Sequence, residues 1–245
     1  MKKLFTTLFI FIIIIFTANA VDMTNGVFYA NSPVECHLIA QDSSSVSTHL
    51  IYNRTYMSGN VVAEMKVTNV TDFYLAGVGL IEAGTNSVFR LNLFTQEVEN
   101  LTDNFGRAQF GICNVNIMLN SGDFVIIYHG GTNSSFTVST PLTSYDLISG
   151  KYFVRVTNKS TVVYVMEGTL IVHSDGSIRE NTGRGKCAWS IQNDPSNGIS
   201  DRIVSNIEDV SSENSERFNG VVVLAEKKLN DGQFVIINGS VVGIH

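Results

Sequence analysis

The side chains best able to hold a metal ion or to serve as nucleophile and base are five histidines, His37, His49, His129, His173 and His245, and three cysteines, Cys36, Cys113 and Cys187. A metal site read from sequence needs such ligands in close pairs, and none of these residues has a second His or Cys at that spacing. The order contains no Gly-x-Ser-x-Gly elbow, no His-Glu-x-x-His helix and no phosphate-cradling Gly-x-x-x-x-Gly-Lys-Ser/Thr loop. Gly183-Arg184-Gly185-Lys186 offers amides and two cations to an anion, but a basic turn facing solvent has the same composition. The carboxylates Glu208 and Asp209 lie in a polar segment that offers no catalytic surroundings. The sequence therefore assigns no catalytic residue, no metal ligand and no cofactor, and an enzyme would have to assemble its site from distant loops.

Charge narrows the partners. Sixteen basic residues face 22 acidic ones, for a net charge of −6, so the footprint of a nucleic-acid binder is missing. Lys2 and Lys3 precede an apolar run from Leu4 to Phe16, and Ala18 and Ala20 follow at the small-residue positions that a signal peptidase requires. This predicts a signal peptide over residues 1–20, a mature chain starting at Val21, and export to the periplasm or beyond. Position 21 is not Cys, so no lipid anchor is expected, and no later stretch is long and apolar enough to span a bilayer.

The chain of 245 residues, 44% hydrophobic and 16% charged, has the composition of a globular protein. An odd number of widely spaced cysteines leaves the fold to rest on a hydrophobic core. From Val61 onward, stretches rich in Val, Ile, Phe, Tyr and Thr are cut by Gly, Asn, Asp or Ser, which is the all-β pattern. In Cys113-Asn114-Val115-Asn116-Ile117 the odd positions share one face, as period two demands. Strands are predicted at Val88 to Phe94, Phe124 to Tyr128, Phe136 to Thr140, Tyr152 to Thr157, Thr161 to Met166, Thr169 to His173 and Phe234 to Asn238. The predicted fold class is all-β, a β-sandwich or short β-solenoid of eight or more strands. Val162, Tyr164 and Met166 face oppositely to Val163 and Val165, and both faces are apolar, so this strand should be covered on both sides. Glu167-Gly168 reads as a tight reversal into Leu170 to Val172, with a positive φ at Gly168.

Other segments read differently. Residues 21–58 form an irregular lead-in, 59–192 the β-domain, 193–219 a polar linker, and 220–245 C-terminal strands packing back on the β-domain. Ile203, Ile207 and Val210 are spaced as on one helical face, which predicts a short helix near 200–210. Gly122-Asp123-Phe124-Val125-Ile126-Ile127 is echoed by Gly232-Gln233-Phe234-Val235-Ile236-Ile237, either a structural repeat or convergence on a common strand pattern. Alternation places Cys113 with Val115 and Ile117, and Cys187 with Trp189 and Ile191, so both are expected to point inward. They would be joined only if their Cα atoms come within about 7 Å; buried free thiols are the alternative, with Cys36 free in either case.

The stretch from Gly122 to about Ile191 resembles the periplasmic domain of FecR-type proteins. The resemblance is carried by Phe136-Thr137-Val138-Ser139-Thr140-Pro141, by Gly150 followed by Phe153, by Thr161-Val162-Val163-Tyr164-Val165-Met166-Glu167-Gly168-Thr169-Leu170-Ile171-Val172, and by the Gly183 to Gly185 turn. The chain departs from the family at Ser149-Gly150-Lys151, where Arg-Gly-Thr is usual. Family members that regulate sigma factors carry a cytoplasmic segment before a membrane span, whereas only Met1, Lys2 and Lys3 precede the apolar run here. The resemblance implies a stand-alone exported β-module of the bacterial envelope, binding a protein or polysaccharide. A secreted enzyme with a dispersed site and an adhesin-like subunit pairing through strand edges are the alternatives.

Overall fold

Every residue of Phe124-Val125-Ile126-Ile127-Tyr128 is buried, so a strand here must be covered on both faces. Phe124, Ile126 and Tyr128 belong to one apolar cluster and Val125 and Ile127 to a second. The same division holds at Val163 and Val165 against Tyr164 and Met166, as the alternation of that segment predicts.

The computed structural model describes residues 23–39, 45–50, 55–57, 62–75, 77–102, 108–131, 133–174, 177–182, 185–192, 203–231, 233–237 and 240–244. The predicted signal segment, residues 1–20, lies outside them. Five short strands open the chain: β1 (Met23–Asn25), β2 (Val27–Ala30), β3 (Val34–Ile39), β4 (Ser45–Leu50) and β5 (Thr55–Met57). Then come β6 (Val62–Lys66), β7 (Thr71–Leu75), β8 (Gly79–Ala83), β9 (Val88–Thr102), β10 (Ala108–Tyr128), β11 (Ser135–Ser139) and β12 (Ser144–Val156). β13 (Ser160–Ser174), β14 (Ser177–Thr182), β15 (Lys186–Gln192) and β16 (Ile203–Asp209) lead into helix α1 (Ser212–Asp231), and β17 (Gln233–Ile237) and β18 (Ser240–Ile244) close the chain. Among the described residues the fold is all-β with one helix, as the composition of its segments predicts.

Among the described residues sixteen strands form one sheet, and the longest of them serve both of its halves. The first part of β10 pairs with β9 and, in parallel, with β11; past Gly122 it pairs with β8 and β12. β13 pairs with β15 over residues 160–165 and with β14 over residues 169–174. The two halves meet face to face, since Phe73 of β7 and Phe89 of β9 are not ladder neighbours yet their rings pack edge to face at 5.0 Å. This is the sandwich alternative, with strands that switch layers at bends. The pairings between described strands are antiparallel except that of β10 with β11, so the rungs of a solenoid are not formed.

Four expectations are corrected. Glu167-Gly168 is no reversal, because β13 runs through it. Gly168 does have a positive φ, 94°, but the conformation bends the strand at the layer switch, where a Cβ would strike the carbonyl of Ser149. Gly150 lies against it, its missing Cβ making room for the carbonyl of Glu167. The Tyr152 hydroxyl braces the bend, 2.6 Å from Thr169 O and 2.9 Å from Ile148 O.

The helix expected near 200–210 lies instead at Ser212–Asp231, and Ile203–Asp209 is strand β16, paired with β15. A spacing of four puts Ile203 and Ile207 on one side of a strand as well as of a helix, so that pair of residues could not decide between them. The polar linker and the first of the expected C-terminal strands thus give way to α1, while β17 and β18 form a two-stranded sheet of their own. The echoed hexapeptides consequently occupy unlike places, one in the middle of the large sheet and the other in that hairpin.

The described residues of the lead-in form strands β1 to β5 rather than irregular chain. β2 pairs with β7, β3 with β6, and Phe28, Ala30, Val34 and Cys36 enter the main core. Cys36, Cys113 and Cys187 are all buried free thiols. Cys113 points into the main core, but Cys187 pairs across with Tyr164 while its neighbour Ala188 takes the inward position, so the two thiols occupy opposite faces of the sheet. No helix among the described residues is long and apolar enough to cross a membrane.

Candidate functional site

The second apolar cluster is roofed by α1. Ser211 starts the helix: its carbonyl accepts the Ser215 N–H at 2.9 Å and its Oγ the Asn214 N–H at 3.4 Å. Glu213 in the first turn and Lys228 in the last complement the helix dipole. Phe218, Val222 and Ala225 recur at helical spacing and are all buried against the sheet.

Three anchors hold the roof. The Phe218 ring stacks on Phe153 of β12 with centroids 4.2 Å apart and lies 4.3 Å from the Tyr164 ring of β13. Lys151 reaches Glu167 at 2.7 Å and Glu226 of the helix at 3.0 Å. Lys228 binds Asp72 at 3.1 Å and also Glu82. Asp72 and Glu82 are cross-strand partners on β7 and β8, an arrangement of like charges that is unfavourable without a cation between them. The Asp72 side chain is only 3% exposed. Burial pushes its carboxyl above the usual carboxylate range, Lys228 opposing this and Glu82 reinforcing it. Asn31 completes the set, its Oδ1 accepting the Asp72 N–H at 2.9 Å while its Nδ2 donates to Oδ2. Burial works against the charge on Lys228, yet the two carboxylates hold its pKa above the ordinary lysine value.

Between α1 and the sheet lies a cleft of about 200 Å³, lined by Glu82, Gly84, Asp123, Phe124, Val125, Phe153, Arg155, Arg217, Phe218 and Val221. Arg155 grips Asp123 with two parallel bonds, Nε to Oδ1 at 2.7 Å and Nη2 to Oδ2 at 2.8 Å. Its guanidinium also lies 5.7 Å from the Phe153 ring, and that of Arg217 lies 5.9 Å from the Phe218 ring. Aromatic and aliphatic walls with a few charged groups make a surface that binds and orients. The lining residues include no thiol, hydroxyl or imidazole, and the two carboxylates, Glu82 and Asp123, are each bound to a cation. A second cavity, of about 310 Å³, lies where Lys151, Glu167 and Gly168 meet Asn219, Val222, Val223 and Glu226 of the helix.

The residues first weighed for chemistry lie elsewhere. His173 Nε2 meets Asp146 Oδ2 at 2.7 Å, and Asp146 Oδ1 accepts a 2.8 Å bond from Thr137, a half-exposed cross-strand network. His129 is exposed just after β10, and His37 and His49 lie on β3 and β4. Lys186 of the basic turn is paired with Asp209 of β16, and Glu208 is exposed on that strand. Gly183, Arg184 and His245 lie outside the described residues. Arg155 and Arg217 belong to no motif, and Asp123 stood out only as part of the echoed hexapeptide; the row Phe218, Val222, Ala225 after Ser211 was the pattern that could have located α1.

No family model matches the chain. No curated relative matches it either. Among solved structures it is similar to two from Parabacteroides distasonis provisionally described as anti-sigma factors. The first is 13% identical, with 70% of this chain and 76% of that one covered at a TM-score of 0.44. The second is 11% identical, with 74% and 82% covered at a TM-score of 0.36.

Proposed function

We propose that the chain is a FecR-like, exported module of the bacterial envelope that binds a protein or polysaccharide partner without catalysing a reaction. The cleft beneath α1 carries this reading: a cavity of about 200 Å³ with apolar walls and guanidinium groups, lined by side chains that bind rather than attack. The order Lys2-Lys3, apolar run, Ala18-x-Ala20 supports export. The resemblance from Gly122 to about Ile191 supports the envelope as the compartment.

Capture from solubilised envelope tests the proposal. The immobilised chain should retain a defined protein or polysaccharide, and Arg217→Glu should release it, because that change reverses a charge in the cleft without touching a buried side chain. Equal retention by chain and variant, or none above background, would overturn the reading. Mass spectrometry of the exported protein checks the compartment, with a mature terminus at Val21 expected.

A further inference from the structure

We infer that the cleft beneath α1 is a carboxylate pocket, taking a monocarboxylate carried on an apolar group about the size of an aromatic ring; this names the ligand chemistry of the binding-module reading and rests on it. The inference follows from which charges of the lining are already committed. Glu82 is held by Lys228. Asp123 has both oxygens occupied by Arg155. Arg217 stands on the exposed side of α1 at the mouth, its guanidinium 5.9 Å from the Phe218 ring, with no ion-pair partner among the described residues. Lys228 is shared between Glu82 and Asp72, so the cleft as a whole is not positive; Arg217 is the cation of its lining that has no carboxylate partner among the described residues.

Donors are available as well as charge. A guanidinium carries five N–H groups in a planar fork. Arg155 uses Nε and Nη2 on Asp123, which leaves Nη1 to donate, and its side chain is 42% exposed. Arg217 and Arg155 can thus hold a carboxylate between them, as charge-assisted and geometrically specific bonds. Behind these donors, Val125, Phe153, Phe218 and Val221 form apolar walls. The volume of about 200 Å³ exceeds the ~150 Å³ of an apolar cavity that accepts benzene, so one aromatic or branched aliphatic group fits. One guanidinium without a carboxylate partner calls for one carboxylate on that group.

This chemistry has two sources, a free small acid or the last residue of a polypeptide, and one titration separates them. The purified chain is titrated with 3-phenylpropionate, with acetyl-Ala-Phe carrying a free carboxylate, and with the same peptide as its amide, followed by amide chemical shifts in NMR. At least one acid should bind saturably and shift residues 123–125, 153–155 and 217–221, and the amide should bind about tenfold or more weakly, as loss of a charge-assisted contact predicts. Binding of the peptide acid alone identifies a polypeptide terminus, and binding of the small acid alone a free metabolite; both support the pocket. Arg217→Gln should lose the preference for acid over amide while keeping the thermal midpoint, because its side chain is exposed. Equal binding of acid and amide, an undiminished preference in the variant, or no saturable shift would overturn the inference. If the chain still captures an envelope component in an Arg217-dependent manner, the inference fails alone; if that capture is lost too, the binding-module reading fails with it.

Discussion

The Phe218 ring of α1 lies stacked on the Phe153 ring of β12, centroids 4.2 Å apart and planes inclined by 25°. This contact fixes the first half of the helix over the sheet and forms the inner wall of the cleft. Phe218→Ala should cost about 3–5 kcal/mol, the usual range for removing a fully buried phenylalanine. Urea unfolding measures the total, and amide exchange should show residues 212–231 opening first. Unchanged exchange in the helix would mean that the ion pairs alone hold it.

Lys228 anchors the other half, and its loss should be felt in a pH-dependent way. The Asp72 carboxyl titrates above its ordinary value in the folded chain, chiefly through burial. Below the unfolded value of about 3.9 it is neutral in both states and burial carries no charge penalty; as pH rises through the higher folded value, the buried charge must form and stability falls. Lys228 offsets that loss. Lys228→Met should therefore destabilise by about 2–3 kcal/mol near neutral pH, less than for a fully buried pair because Lys228 is 40% exposed. The deficit should shrink as the pH falls through the raised Asp72 value, because the protonated carboxyl no longer needs a cation beside it. Denaturation of both proteins across this range gives the test, and a deficit that stays constant with pH would contradict it.

At the layer switch, Gly168→Val places a side chain at a φ of 94° and against the Ser149 carbonyl. The cost should be about 1–3 kcal/mol, or roughly 2–12 °C in Tm for a chain of this size. A thermal midpoint equal to that of the parent would mean that β13 does not bend there.

The thiols provide a check on the sheet faces. Burial pushes Cys36 and Cys187 up to about 11, and raises Cys113 as well. A thiolate reagent at about pH 8 should hardly react with the folded protein. Denatured and unreduced, the chain should release three titratable thiols. A single thiol would mean that two of the three are joined and would contradict three buried free thiols; peptide mapping would then show whether Cys187, assigned to the helix side, is one of them.

Some of this architecture is legible in the residues and some is not, for reasons of chain geometry. Phe124 to Tyr128 and Thr161 to Met166 show that both strand faces are buried, because period two exposes each face separately to inspection. What covers the outer face is silent in those residues, since a helix and a second sheet both call for an apolar surface. Glu167-Gly168 announces a positive φ correctly, but the same φ serves a hairpin and a bend, and only the pairing of β13 with β14 and β15 tells them apart. The cleft was unreadable for a plainer reason. Asp123, Arg155 and Arg217 stand 32 and 62 residues apart, and no local spacing relates a strand position to a helix that folds back over it.

Hydrogen exchange on the complex with whatever the chain captures tests the central claim most directly. The account predicts that the partner slows exchange at residues 123–125 of β10, 153–155 of β12 and 217–221 of α1, the segments that wall the cleft. Protection confined to another surface, such as β16 or the β9 face, with those three segments unchanged, would contradict it.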